Sequence, residues 1–129
     1  VFTAPYDPLS GVQGRFESYA QFSGEYPDGA VTDADGNYWT ALWAGGRVAC
    51  LSPDGRETGS VAVDATQPSC PAFGGPGGNL LFVTSARDEL DEAALAASPK
   101  AGSLFVYETS AKGAPVIRAR VENRLVATV

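Results

Sequence analysis

Apolar side chains come in short bursts along this chain, rich in Val, Thr, Tyr, Phe and Trp and broken every few residues by Gly, Pro, Asp and Asn. Short β-branched and aromatic runs between turn formers read as strands rather than helices. The pattern predicts strands near Val1–Pro5, Arg15–Gln21, Gly29–Thr32, Tyr38–Trp43, Arg47–Leu51, Glu57–Val63, Ser69–Phe73, Leu80–Thr84, Ser103–Glu108 and Val116–Val121. Between them stand Asp7-Pro8-Leu9-Ser10-Gly11, Asp33-Ala34-Asp35-Gly36-Asn37, Ser52-Pro53-Asp54-Gly55 and Gly74-Gly75-Pro76-Gly77-Gly78-Asn79, all of turn-forming composition. One helical segment interrupts the strands, from about Asp88 to Ala97. Its acids lie at the front, Ala and Leu follow, and Pro99 comes just past the end, an order that suits the helix dipole and then stops the helix.

The strand pattern repeats. Asp35-Gly36-Asn37-Tyr38-Trp39-Thr40-Ala41-Leu42-Trp43 falls on Gly77-Gly78-Asn79-Leu80-Leu81-Phe82-Val83-Thr84-Ser85 at an offset of 42 residues. With the helical segment treated as an insertion, Ala44-Gly45-Gly46-Arg47-Val48-Ala49-Cys50-Leu51 matches Ala101-Gly102-Ser103-Leu104-Phe105-Val106-Tyr107-Glu108, and Thr3-Ala4-Pro5-Tyr6-Asp7-Pro8 resembles the same unit again. A period of about 40 to 50 residues with several strands per unit is the signature of a β-propeller, which closes with about four to eight blades. A sandwich with coincidental turns is the alternative. At about 42 residues per blade the chain holds roughly two and a half to three blades. The expectation is an all-β, partial propeller of four-stranded antiparallel blades over residues 1–129, with a helical insertion near 88–97. Open blade edges invite pairing, so missing blades or another copy of the chain are expected to cover them.

Composition narrows the chemistry. The 129 residues carry nine Lys and Arg against fifteen Asp and Glu, a net charge of −6, which argues against a nucleic-acid partner because phosphate binding needs clustered cations. No apolar run reaches the about 18 residues of a membrane helix. Cys50 and Cys70 are too few for a disulfide framework, and whether they meet is open. Free thiols and a start unlike a signal peptide point to the cytoplasm. The chain has no histidine, so it cannot itself build a Ser-His-Asp triad, a Cys-His pair or an imidazole zinc site. Acid–base work falls to carboxylates, lysine, tyrosine or metal-bound water. Methionine is absent too, so Val1 is not expected to be a natural translation start.

Single residues stay ambiguous on spacing alone. Asp28 in Tyr26-Pro27-Asp28-Gly29 is either a turn residue, like Asp54 in Pro53-Asp54-Gly55, or a carboxylate at the end of an innermost strand facing an axial metal. The 42-residue offset sets it opposite Cys70, expected to be a buried small residue rather than a ligand. Asp33-x-Asp35-Gly36-Asn37 lacks the EF-hand spacing and closing glutamate and reads as a hairpin turn. The Gly74–Gly78 run lacks the Gly-Lys-Ser/Thr and helix of a phosphate loop, and reads as a loop between strands. Arg87 is expected to be a surface residue pairing with Asp88 or Glu89, with the channel mouth as the alternative. Trp39 and Trp43, four apart on one side of a strand, are expected to pack between blades rather than to serve a substrate.

Taken in order, Tyr26-Pro27-Asp28-Gly29, Asp35–Trp43, Gly45-Gly46-Arg47-Val48, Pro53-Asp54-Gly55, Cys70-Pro71-Ala72-Phe73-Gly74-Gly75-Pro76, Leu81-Phe82-Val83-Thr84-Ser85-Ala86-Arg87 and Pro99-Lys100-Ala101-Gly102-Ser103-Leu104-Phe105 resemble the senescence marker protein/regucalcin/gluconolactonase family. The resemblance runs from about Tyr6 to Arg120 and matches only the C-terminal part of such a protein; Val121–Val129 carries no family feature. It implies a six-bladed propeller with a divalent ion (calcium, zinc, manganese or magnesium) at one end of the channel. It also implies either lactonase activity on sugar lactones or non-enzymatic calcium binding. Of the family's metal ligands, a glutamate, an asparagine and the Pro-Asp-Gly aspartate, only the last is present, as Asp28. Asp28 is therefore the expected metal ligand and catalytic carboxylate, and the chain alone is expected to be inactive.

Overall fold

The computed structural model describes residues 1–116; the strand expected at 116–121 and the segment 121–129 lie, but for Val116, outside that range. The regular structure of the described chain is almost all strand. In order come β1 (Phe2–Thr3), β2 (Glu17–Ser18), β3 (Tyr26–Thr32), β4 (Tyr38–Trp43), β5 (Arg47–Leu51), β6 (Glu57–Ala62), β7 (Pro68–Gly74), β8 (Leu80–Ser85), α1 (Glu92–Ala97) and β9 (Leu104–Glu108). They form three antiparallel sheets: β1-β2, β3-β4-β5-β6 and β7-β8-β9.

The two middle strands of the central sheet are buried on both faces, whereas β3 and β6 at its edges are largely exposed, and the sequence shows why. In β4 and β5 nearly every side chain is buried, so the apolar run is continuous rather than alternating. One face points to the third sheet: Trp39, Val48 and Cys50 pack with Leu81, Val83, Val63 and Ala65 into the main cluster, with Phe73, Phe105 and Tyr107 at its margin. Trp39 meets Phe73 edge-to-face at 5.5 Å and 87°, the geometry that aromatic quadrupoles favour. Each such fully buried side chain contributes about 1.5–3 kcal/mol. The opposite face, with Thr40, Leu42, Ala49 and Leu51, is covered by the segment after β2. Tyr19 stands edge-on to Tyr38 at 5.9 Å, and its hydroxyl donates to the Ser52 carbonyl at 2.7 Å.

Several expectations are corrected here. The strand expected from Gly29 begins at Tyr26, so Asp28 lies within β3 rather than before it. The ladder with β4 carries Pro27 and the residues behind it, and a bulge between Pro27 and Ala30 absorbs Asp28 and Gly29. The helix is shorter than Asp88–Ala97. The Asp91 carboxylate accepts from the Ala94 amide and caps α1, so the helix starts at Glu92. The residues before it make a turn, with Leu90 N–H donating to the Arg87 carbonyl and Glu89 at φ 55°. The strands expected at Val1–Pro5 and Arg15–Gln21 shrink to a pair of two-residue strands. Tyr38–Trp43 and Arg47–Leu51 match their observed limits, Ser52–Gly55 is a turn between strands, and of the expected Gly74–Asn79 loop Gly74 closes β7 while Gly75–Gly78 form the turn.

Candidate functional site

The bulge in β3 places its residues by packing from two sides. Behind it, the buried Thr40 hydroxyl reaches the Gly29 carbonyl at 3.5 Å. In front, β7 runs so close that a Cβ on Gly29 would stand 2.6 Å from Cys70 Sγ and 2.7 Å from the Ser69 carbonyl oxygen. Only glycine fits between the two strands, and β7 has its own bulge alongside, between Pro68 and Cys70. Bulges re-aim side chains. Here the result is an exposed Asp28 on a backbone held from both faces.

Asp28 is the one predicted site residue, and no hydrogen bond or ion pair to another described residue occupies its carboxylate. It stands available as a single oxygen donor. Among the described residues no three His, Cys, Asp or Glu side chains gather to hold an ion. Asp28 therefore fits a divalent ion as one ligand, and the described residues do not complete a site. A cleft of about 360 Å³ is walled by Phe2, Phe22, Glu25, Tyr26 and Pro27, but Asp28 does not line it.

Asp33, the other carboxylate singled out by its motif, is committed elsewhere. Its Oδ1 accepts from the amides of Asp35 at 3.0 Å and Asn37 at 2.8 Å, and its Oδ2 accepts from Asn37 Nδ2 and Trp39 Nε1, each at 2.9 Å. Four donors fill the lone pairs of a carboxylate, so the hairpin reading holds. Burial pushes the Asp33 carboxyl up, but the bonds from Trp39, Asn37 and Asp35 outweigh it and hold the group below the usual carboxylate range.

Cys70 is exposed, against the expectation of a buried residue: its sulfur faces the Gly29 bulge rather than the main cluster. Cys50 is buried, and both thiols are free. Arg87 is exposed, and among the described residues it pairs with neither Asp88 nor Glu89; its stem lies over Gly102, where a Cβ would come within 2.9 Å of it. Trp39 packs between sheets, as expected.

One group escaped sequence reasoning. Arg47 Nε and Nη2 donate to the two oxygens of Glu25 at 2.8 and 2.7 Å, while Nη1 reaches Glu57 at 2.5 Å. The hydrogen bonds from Arg47 lower the Glu25 carboxyl below its ordinary range, and the two carboxylates raise the guanidinium further. The partners are 22 and 10 residues apart, and no local pattern could have paired them.

Residues 1–87 match the family described as the SMP-30/Gluconolactonase/LRE-like region. The L-arabinolactonase of Azospirillum brasilense is 49% identical over 92 residues, which are 71% of this chain and 30% of that protein. The regucalcin of Sus scrofa is 37% identical over 116 residues, 85% of this chain and 38% of its own length. Among solved structures, the calcium-binding protein regucalcin of Agrobacterium tumefaciens superposes with a TM-score of 0.82 at 36% identity, covering 92% of this chain and 42% of that one. The chain thus spans less than half the length of each of these proteins.

Proposed function

This chain belongs to the SMP-30/gluconolactonase/LRE-like family, and we propose that it is part of a divalent-metal-dependent lactonase that hydrolyses sugar lactones. The observation that carries the reading is Asp28 itself: an exposed, uncommitted carboxylate on a bulge that two neighbouring strands hold in place. The likeness to an arabinolactonase supports the substrate class. On this reading the sheets are blades of a propeller, two and a half to three of an expected six. β3 and β7 are then innermost strands, and Asp28 stands at the mouth of the channel.

A calcium, zinc, manganese or magnesium ion, when bound, polarises the lactone carbonyl and makes water a better nucleophile. Asp28 supplies one donor for it. The remaining donors lie outside the described residues, since calcium takes about six to eight oxygens. Asp28 also accepts the proton of the attacking water. The water oxygen adds to the carbonyl carbon, the ring C–O bond breaks, and the ring oxygen leaves as a hydroxyl carrying that proton. The product is the open-chain acid. The chain alone is then inactive, and the missing blades or a second copy must complete the site and cover exposed apolar residues such as Leu104 on β9.

A second reading, a non-enzymatic calcium-binding propeller, is favoured by the likeness to a calcium-binding regucalcin. Turnover of a panel of aldonolactones with added calcium, manganese or zinc, measured on the chain once the missing blades or a second copy complete the site, separates the two. Lactone opening that stops with chelator and with Asp28→Ala supports the enzyme. Saturable calcium binding without turnover supports the binder.

A further inference from the structure

The Arg47 network lies one step from the bulge. Glu25 immediately precedes β3, so its position sets where Tyr26-Pro27-Asp28-Gly29 enters the sheet. Arg47, the first residue of β5, grips both Glu25 oxygens in a bidentate fork, the strong and directional form of this contact. Glu25 and Arg47 are each about a quarter exposed, so water screens the pair less than a fully exposed one. A second observation fixes the same carboxylate. A Cβ on Gly45, in the β4–β5 turn, would stand 2.6 Å from Glu25 Oε1, so the missing side chain at Gly45 is the space that Glu25 occupies. Pro27 is paired with Leu42, which is paired with Arg47. The clamp and the bulge therefore share one cross-strand row.

We propose that Glu25, Arg47 and Gly45 form a positioning clamp for Asp28, fixing the entry of β3 so that the bulge presents this carboxylate in one direction. The role of Asp28 rests on the function proposed above; the clamp itself does not. Glu57 provides an internal control. It holds the same guanidinium through Nη1 but belongs to β6, away from β3. A plain stabilising ion pair loses about as much from either carboxylate, whereas a clamp on Asp28 depends on Glu25 alone.

Amide hydrogen exchange on the full chain, without metal, tests this. Glu25→Ala and Gly45→Ala are expected to speed exchange in Tyr26–Ala30 on the order of tenfold and to shift the Gly29 amide resonance. Glu57→Ala is expected to leave both within about twofold of the parent, and slow exchange in β8 in every variant shows that the fold is intact. Gly45→Ala keeps all charges and pushes hardest against the Glu25 carboxylate, with Leu42 Cβ at 3.0 Å as a second, looser contact, so it reports on placement rather than on ion pairing. Equal loosening by Glu25→Ala and Glu57→Ala, or no loosening by Glu25→Ala and Gly45→Ala, overturns the clamp. Calcium binding by the completed assembly that survives Asp28→Ala overturns the reading of Asp28 instead, whatever the exchange pattern.

Discussion

Asp28 and Asp33 stand five residues apart in the sequence yet end in opposite conditions, and each can be tested alone. Asp28 is exposed and has no hydrogen bond or ion pair to another described residue, so Asp28→Ala should change the free energy of unfolding by no more than about 0.5 kcal/mol. On the proposed function, the same substitution abolishes metal-dependent turnover. Chemical denaturation of the chain and a lactonase assay of the assembly that completes the site check the two halves. Asp33 is 3% exposed with four donors on its carboxylate. Asp33→Ala should cost on the order of 1–3 kcal/mol, because it strands buried donors, the Trp39 indole N–H among them. Its carboxyl lies below the ordinary value in the folded chain, and an unfolded aspartate titrates near about 3.9. The stabilisation is therefore complete above about pH 4 and is lost as pH falls through the folded value. Urea midpoints measured between pH 7 and pH 3 should fall for the parent, and fall less for Asp33→Ala.

Among the elements, β3 is the most constrained, since it must pair with β4, bulge at Asp28 and let β7 pass beside Gly29. Gly29→Ala puts a methyl 2.6 Å from Cys70 Sγ and 2.7 Å from the Ser69 carbonyl oxygen. The sulfur can turn away, but the backbone oxygen cannot. Gly29→Ala should therefore cost about 1–3 kcal/mol, the usual range for overpacking, and adding Cys70→Ala should restore only part of it. Thermal melts of the single and double variants measure the difference. Much of this element level was legible in the sequence. Tyr38–Trp43 and Arg47–Leu51 are bounded by Gly- and Asn-rich turns, and their limits followed from that contrast. The 42-residue offset also aligned Asp28 with Cys70 as equivalent positions of successive units, and the strands that carry them, β3 and β7, lie beside each other at Gly29. What could not be read depends on tertiary placement. The bulge makes Pro27-Asp28-Gly29 part of a strand while Pro53-Asp54-Gly55, with the same letters, is a turn. The Asp91 cap shortened a helix whose composition favoured four more residues, and the Glu25–Arg47 fork joins residues that no periodicity relates.

For the whole molecule the question is what covers the sheets at either end. The third sheet buries Phe105 and Tyr107 against the central sheet, but β9 turns Leu104 and Val106 outward at 61% and 50% exposure. At the other end Phe2 and Phe16 are exposed at 71% and 60%. Solvated apolar patches of this kind mark contact surfaces, and a chain that spans 30% to 42% of its relatives has a reason to carry them. The chain by itself is expected to associate as its concentration rises. Light scattering over a wide concentration range should show the mass climbing from the monomer. Leu104→Lys with Val106→Lys should hold it near the 13.3 kDa monomer, because these side chains already face water and the charge adds repulsion between copies without disturbing the buried cluster. A monomer that persists at every concentration in the unsubstituted chain removes the need for a cover. Association that the double substitution leaves untouched moves the contact to the Phe2 and Phe16 end.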